Sequence, residues 1–300
     1  MIQGLHHVTT MASGARANDA FWREALGLRR VKVTVNFDAP EVYHLYYGDG
    51  AGSPGTVMTS FPFGPGPRGR RGAGEASETA FAVPPGSLGA WEARLGGRRE
   101  ARFGEARLVV EGPDGEGVAL VEAEDARAPW IGTVAADMAV RGFHSVTLSL
   151  RDARPMADLL AFMGYQEEGR EGAVTRMQIA GNGADVVDLV EARDAPWAAQ
   201  GAGSTHHVAF AVADRAAQAA VRARLTEAGA RVTPSIDRDY FWAVYFQTPG
   251  GVLFEVATAE PGFARDEAPD ALGAALKLPR RHEHLRDRLR GSLEPLEGLA

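Results

Sequence analysis

The chain has 300 residues, 45% of them hydrophobic, enough to bury a full core and more naturally two domains than one. Its 39 acidic and 32 basic residues leave a formal charge of -7, which disfavours a nucleic-acid partner, and no run of about 18 apolar residues is present to span a bilayer. With no cysteine there is no disulfide framework, thiolate nucleophile or thiolate-bound zinc, so any metal must sit on imidazole and carboxylate.

The chain opens into MIQGLHHVTT rather than a basic and then apolar leader, which makes the cytoplasm the expected compartment. A short alternating strand, LHHVTTM from Leu5, is followed by a helical stretch, ANDAFWREALGL from Ala17. Strand candidates RVKVTV, VYHLYYGD and GTVMTSF come next. PRGRRG, at positions 67–72, lies among glycines and prolines and reads as a solvated loop rather than a phosphate site. The same opening then recurs roughly every 65 residues. ETAFAVP from Glu78 precedes GSLGAWEARL, FHSVTLSL from Phe143 precedes ARPMADLLAFMGY, and HHVAFAV from His206 precedes DRAAQAAVRARLTEAGA. Gly27, Gly96, Gly164 and Gly229 stand where each helix should stop. The last unit closes as YFWAVYF and VLFEVAT around a PGG turn.

This pattern predicts an α+β fold of four βαβββ modules, paired in chain order into two domains of curved mixed sheets that enclose a metal cavity. The expected domains are 1–130 and 140–260, parted by the unpatterned stretch 124–139. The tail 261–300 carries Leu285, Leu289 and Leu293 at helical spacing and reads as a surface helix, with a lid over the site as the alternative.

Four of the eight histidines form two adjacent pairs, His6-His7 and His206-His207, each opening a module. Strand alternation sends one member of a pair to the cavity and the other outside. A lone strand histidine is more often packed than ligating, but recurrence at equivalent positions points to ligands. Matching Val8 with Val208 matches His7 with His207. His144 is the rival, although matching its following V-T to Val8-Thr9 places Ser145 at the ligand position. Glu255 sits within apolar VLFEVAT, where a charged carboxylate wants a cation or must face solvent. Its counterpart in the first module falls near Thr59, a poor ligand. Two imidazoles and one carboxylate suit non-haem Fe(II) oxygen chemistry, while Mn(II) or Zn(II) could use the same donors. Phe241 and Trp242 are read as core aromatics with pocket lining as the alternative.

GLHHVTT, FWREALGLRRVKVTVNFDAPEVYHLYYGD, GFHSVTL, STHHVAFAV and DRDYFWAVYFQTPGGVLFEVAT resemble the vicinal oxygen chelate superfamily, which includes glyoxalases, bleomycin resistance proteins and extradiol dioxygenases. Within it the likeness is to ring-cleaving dioxygenases of the hydroquinone type, over almost the whole chain. The resemblance implies one Fe(II) or Mn(II) on His7, His207 and Glu255, a small aromatic substrate and dioxygen. It further implies roles beside the ligands for Arg238, Tyr245, His6 and His206. A glyoxalase-like isomerase or lyase, and a metal-free module that binds an aromatic drug, are the competing readings. Exposed sheet edges are compatible with a homodimer.

Overall fold

The computed structural model describes residues 1–299. Four units of one plan succeed each other. The first holds β1 (Leu5–Ala12), α1 (Ala15–Ala20, prolonged by a π-helical turn over Phe21–Ala25), β2 (Arg29–Val35), β3 (Tyr43–Gly48) and β4 (Val57–Pro62). The second holds β5 (Glu75–Val83), α2 (Leu88–Leu95), β6 (Arg98–Arg102), β7 (Glu105–Glu111) and β8 (Gly117–Glu122). The third runs β9 (Gly142–Leu150), α3 (Arg154–Met163), β10 (Gln166–Glu171), β11 (Val174–Gln178) and β12 (Val186–Glu191). The fourth runs β13 (Thr205–Val212), α4 (Arg215–Glu227), β14 (Ile236–Asp237), β15 (Phe241–Gln247) and β16 (Leu253–Pro261).

Local chemistry sets the helix ends. Asp214 caps α4, its carboxylate accepting the Ala217 N–H at 2.8 Å. Gly164 ends α3 in the left-handed region at φ 108°, which lets its own N–H and that of Tyr165 satisfy the last helical carbonyls. No helix among the described residues is long and apolar enough to cross a membrane.

The modules pair in an order that differs from the chain-order expectation. One eight-stranded sheet runs β14-β15-β16-β13-β1-β4-β3-β2 and joins the fourth module to the first. The other runs β10-β11-β12-β9-β5-β8-β7-β6 and joins the third to the second. Both sheets are curled and mixed, and each is stitched at its centre by two antiparallel lead strands, with Val8 opposite Val208 and Thr79 opposite Val146. The division into 1–130 and 140–260 therefore cuts across both sheets. The stretch 124–139 is correspondingly not a free linker. Val134 is buried, Thr133 Oγ1 donates to the Arg23 carbonyl, and Arg29 stacks on Trp130. One apolar core holds residues of both sheets, including Trp22 against Phe81 and Tyr165 against Phe210.

The tail departs from a single long helix. Leu276 bridges to Val33, a 3-10 segment covers Arg280–Leu285, and a short α5 (Arg286–Ser292) follows. Leu289 and Leu293 are buried, and the Glu294 carboxylate accepts the Ala15 N–H at the start of α1. The PRGRRG loop is a staple: Arg70 and Arg71 donate to the carbonyls of Trp197, Ser77 and Gly115.

Candidate metal centre

His7 on β1 and His207 on β13 lie on adjacent central strands, and Glu255 on β16 sits in register with Ala209 of β13. The β1–β13 ladder slips by one residue at each histidine pair. Leu5 pairs with Phe210 but His7 with Ala209; Thr9 pairs with His207 but Thr10 with Thr205. His6 and His206 are thus the extra residues of two bulges. Strict alternation would send them to the far face, and this is corrected: the bulges turn each back against its neighbour. His206 lines the cavity beside His207, and His6 is buried behind His7.

These contacts fix which nitrogen of His7 is free. His6 Nε2 lies 3.1 Å from the Thr258 carbonyl, which can only accept, so Nε2 holds the proton. Burial, followed by the proximity of His7, pushes His6 down to about 3, so its ring is neutral at pH 7 and Nδ1 accepts from His7 Nδ1 at 2.9 Å. His7 therefore turns an Nε2 lone pair to the site. His206 Nδ1 stands 2.8 Å from His207 Nδ1, with burial and then His207 pushing it down to about 4. Phe241 packs on the rings of His6 and His7, so it lines the cavity as well as filling the core, whereas Trp242 lies under Arg215.

The free nitrogens converge. His7 Nε2 and His207 Nε2 are 3.1 Å apart, and Glu255 Oε2 lies 3.4 Å and 3.0 Å from them. Glu255 is completely buried, and neither carboxylate oxygen accepts a hydrogen bond. Burial raises its pKa, and only positive charge at the His7 and His207 side of the carboxylate lowers it, so with neutral rings it is a cation that keeps Glu255 ionised. A buried, ionised, unpartnered carboxylate facing two imidazole lone pairs costs several kcal/mol unless a cation joins them, and this donor set fits one divalent metal. No other such cluster occurs among the described residues.

Arg238 and Tyr245 flank this set. Tyr245 on β15 is in register with Glu255, and the Arg238 Nε–H donates to its hydroxyl at 3.2 Å. Burial, then Glu255, raises the Tyr245 pKa well above normal, so the phenol keeps its proton. Burial opposes the Arg238 charge, but Tyr245, Asp38 and Glu255 outweigh it and raise its pKa. Arg238 also reaches Asp38 at 3.3 Å on the loop at the cavity mouth, and that loop is held from outside by Arg281 and His282, which donate to the Phe37 carbonyl.

Three residues at the site escaped the sequence reading. Thr9 Oγ1 lies 2.8 Å from His207 Nε2 and 2.8 Å from Thr59 Oγ1; Thr59 Oγ1 lies 3.0 Å from His44 Nε2; His44 Nδ1 lies 2.7 Å from the Tyr46 hydroxyl. The chain runs from the ligands towards the outer edge of the first module. A cavity of about 520 Å³ reaches the outer members of this chain, His44 and Tyr46, and is walled by Phe37, Phe61, Phe63, Ile236 and Leu253.

The second sheet has no such centre. Asp188 and Thr147 hold the stations of Thr59 and Thr9, and Arg176 grips Asp188 through two bonds of 2.8 and 3.0 Å. Arg107 pairs with Glu78, and Arg102 bonds both Thr147 and Asp188. His144, the rival ligand, ends on Glu105 at 3.1 Å in this ion-pair cluster, far from the other histidines in the topology.

Comparison with known proteins agrees with this geometry. The profile of the Glyoxalase/Bleomycin resistance protein/Dioxygenase superfamily matches residues 4–256. The chain is 38% identical to "Putative ring-cleaving dioxygenase MhqO" of Bacillus subtilis over 98% of its length and 96% of the relative. It is 36% identical to "Chlorohydroquinone/hydroquinone 1,2-dioxygenase" of Sphingobium indicum, covering 96% and 95%. A crystal structure of a Bacillus subtilis protein titled "putative dioxygenase" superposes with a TM-score of 0.96 at 37% identity, over 99% of this chain and 98% of that one. Glyoxalase I from Zea mays shares the fold, at a TM-score of 0.65 and 14% identity over 86% and 92%. The chain belongs to the glyoxalase/bleomycin resistance protein/dioxygenase superfamily.

Proposed function

We propose that this protein opens the ring of a dihydroxyaromatic, of hydroquinone or catechol type, with dioxygen, using Fe(II) held by His7, His207 and Glu255. The observation that carries the reading is the donor set itself: two imidazoles and one unpartnered carboxylate at the floor of an apolar cavity, with threonine at the station where a second carboxylate would stand. A metal on three protein donors keeps positions free for both reactants, which is the arrangement of non-haem Fe(II) oxygen chemistry; the same donors also accept Mn(II) or Zn(II). When bound, the metal supplies an electron path between the aromatic and dioxygen.

The protein's own groups do the rest. Arg238 is a fixed cation at the cavity wall and neutralises a phenolate or ring carboxylate. Tyr245 keeps its proton and offers it as a hydrogen bond beside Glu255. His6 and His206 hold the ligand rings in the tautomer that binds metal. The cavity is far larger than a bare dihydroxybenzene, so its aromatic and aliphatic walls favour a ring with apolar substituents. An isomerase or lyase of this fold wants a second carboxylate. The only other one lining the cavity is Asp38, exposed at the mouth and paired with Arg238. A metal-free drug-binding cleft would leave Glu255 without a counter-charge. Product analysis under ¹⁸O₂ tests the reaction class: a ring-opened acid labelled in both new oxygens supports it, and an unlabelled isomer of the substrate contradicts it.

A further inference from the structure

The four groups Tyr46, His44, Thr59 and Thr9 form a chain whose proton order is determined by the structure. Tyr46 is buried and has no hydrogen-bond partner other than His44 among the described residues. Burial, then the neighbouring Tyr245, raises its pKa well above normal, so it keeps its proton and donates to His44 Nδ1. His44 is buried, and burial followed by His7 holds it neutral, so its one proton is on Nε2 and goes to Thr59 Oγ1. The one order that then leaves no hydroxyl proton without an acceptor has Thr59 donating to Thr9 and Thr9 to His207 Nε2. Every link points the same way, from the edge of the module inwards.

His44 is clamped in this role. Its ring lies between Tyr46, at a centroid distance of 4.0 Å, and Phe61, at 4.3 Å. It also has no counterpart in the fourth module: His44 is two residues before Tyr46, which faces Thr59, whereas two residues before Tyr245, which faces Glu255, stands Ala243. The chain is therefore a feature of the half-site that lacks the carboxylate. Its last acceptor is the nitrogen that the metal reading assigns to the metal. With Nε2 engaged, the Thr9 hydroxyl keeps its proton but loses its acceptor, while Thr59 still supplies it with a hydrogen bond from behind.

We propose that His44 is a positioning residue that, oriented by Tyr46, drives the Thr59–Thr9 hydroxyl pair to donate a hydrogen bond to a phenolic oxygen bound at the cavity floor beside His207 Nε2. The inference rests on the phenol-binding reading above. Such a bond, reinforced by the donors behind it, favours the ionised phenol over the neutral one.

The test uses the Zn(II)-loaded full chain, which cannot turn over, and follows the absorbance of bound 4-nitrophenol against pH. Removing the chain in His44→Phe, or near-isosterically in Thr59→Val, is expected to raise the pH at which the bound probe ionises by about one unit, a tenfold change. His44→Gln, which keeps an N–H where Nε2 stood, restores much of the shift. Zinc content stays stoichiometric in all three variants. Unchanged probe ionisation in Thr59→Val, a His44→Gln variant as displaced as His44→Phe, or loss of zinc from both Thr59→Val and His44→Phe would each overturn the inference. A zinc-loaded parent protein that fails to bind the probe at all would overturn the phenol reading itself.

Discussion

Thr59 and Glu255 occupy equivalent stations in the two halves of one sheet. Each is in register with a tyrosine on the neighbouring antiparallel strand, Tyr46 and Tyr245, and each is in register on its other side with the residue two past a ligand histidine, Thr9 and Ala209. One half thus offers a carboxylate and the other a hydroxyl, which makes the site three-donor rather than four-donor. Thr59→Glu should supply the missing carboxylate. Expected are tighter metal retention against a chelator and an oxygen uptake lowered by about tenfold or more, with about 1–3 kcal/mol of destabilisation from overpacking. Chelator competition and oxygen electrode traces on the same sample check this.

Glu255 has the opposite expectation. In the metal-free protein it is a buried charge without a hydrogen bond, so Glu255→Gln should melt no lower than the metal-free parent and should lose the stabilisation that metal gives the parent. Thermal melts with and without added Zn(II) read both effects. A metal-induced rise of equal size in the two proteins would contradict the assignment.

His6 reaches the metal site only through His7. Replacing it by Phe keeps the ring against Phe241 but removes the acceptor for His7 Nδ1–H. Metal affinity should fall about 10- to 100-fold, with little change in fold. Competition with a coloured chelator, alongside circular dichroism, separates the two.

In the second sheet, Glu105 is held down to about 2: burial opposes this, but His144 and Arg176 outweigh it. Its folded pKa lies below the ordinary 4.5, so its stabilisation is complete above that value and is lost as pH falls towards about 2. Glu105→Gln should therefore destabilise the protein at pH 7, on the order of 1–2 kcal/mol after allowance for its partial exposure, and the difference should shrink as pH falls below about 4.5. Urea melts at both ends of the range check the sign.

Much of this was legible because the chain repeats. Paired histidines at two module openings and a carboxylate stranded in VLFEVAT mark the three donors that the fold brings together. The choice of His7 over His144 already implied that the first and last modules share a site, although chain order suggested another pairing. All four lead strands look alike, so nothing in their alternation names their partners. The bulges at His6 and His206 were also hidden, because an extra residue in a ladder shows only when both strands are placed. His44, Thr9 and Tyr46 were missed for a related reason: within YHLYYG and HHVTT they read as ordinary strand residues. Their link depends on Thr59 falling in register between Thr9 and Tyr46.

His7, His207 and Glu255 are proposed to hold a metal that serves dioxygen chemistry on a dihydroxyaromatic. Oxygen uptake by protein reconstituted with Fe(II) under anaerobic conditions, with hydroquinones and catechols compared and Glu255→Ala as control, tests it most directly. Uptake that requires iron, prefers one ring class and is abolished in the variant is the expected result. Stoichiometric metal with no uptake on either class, or uptake that survives Glu255→Ala, would contradict it.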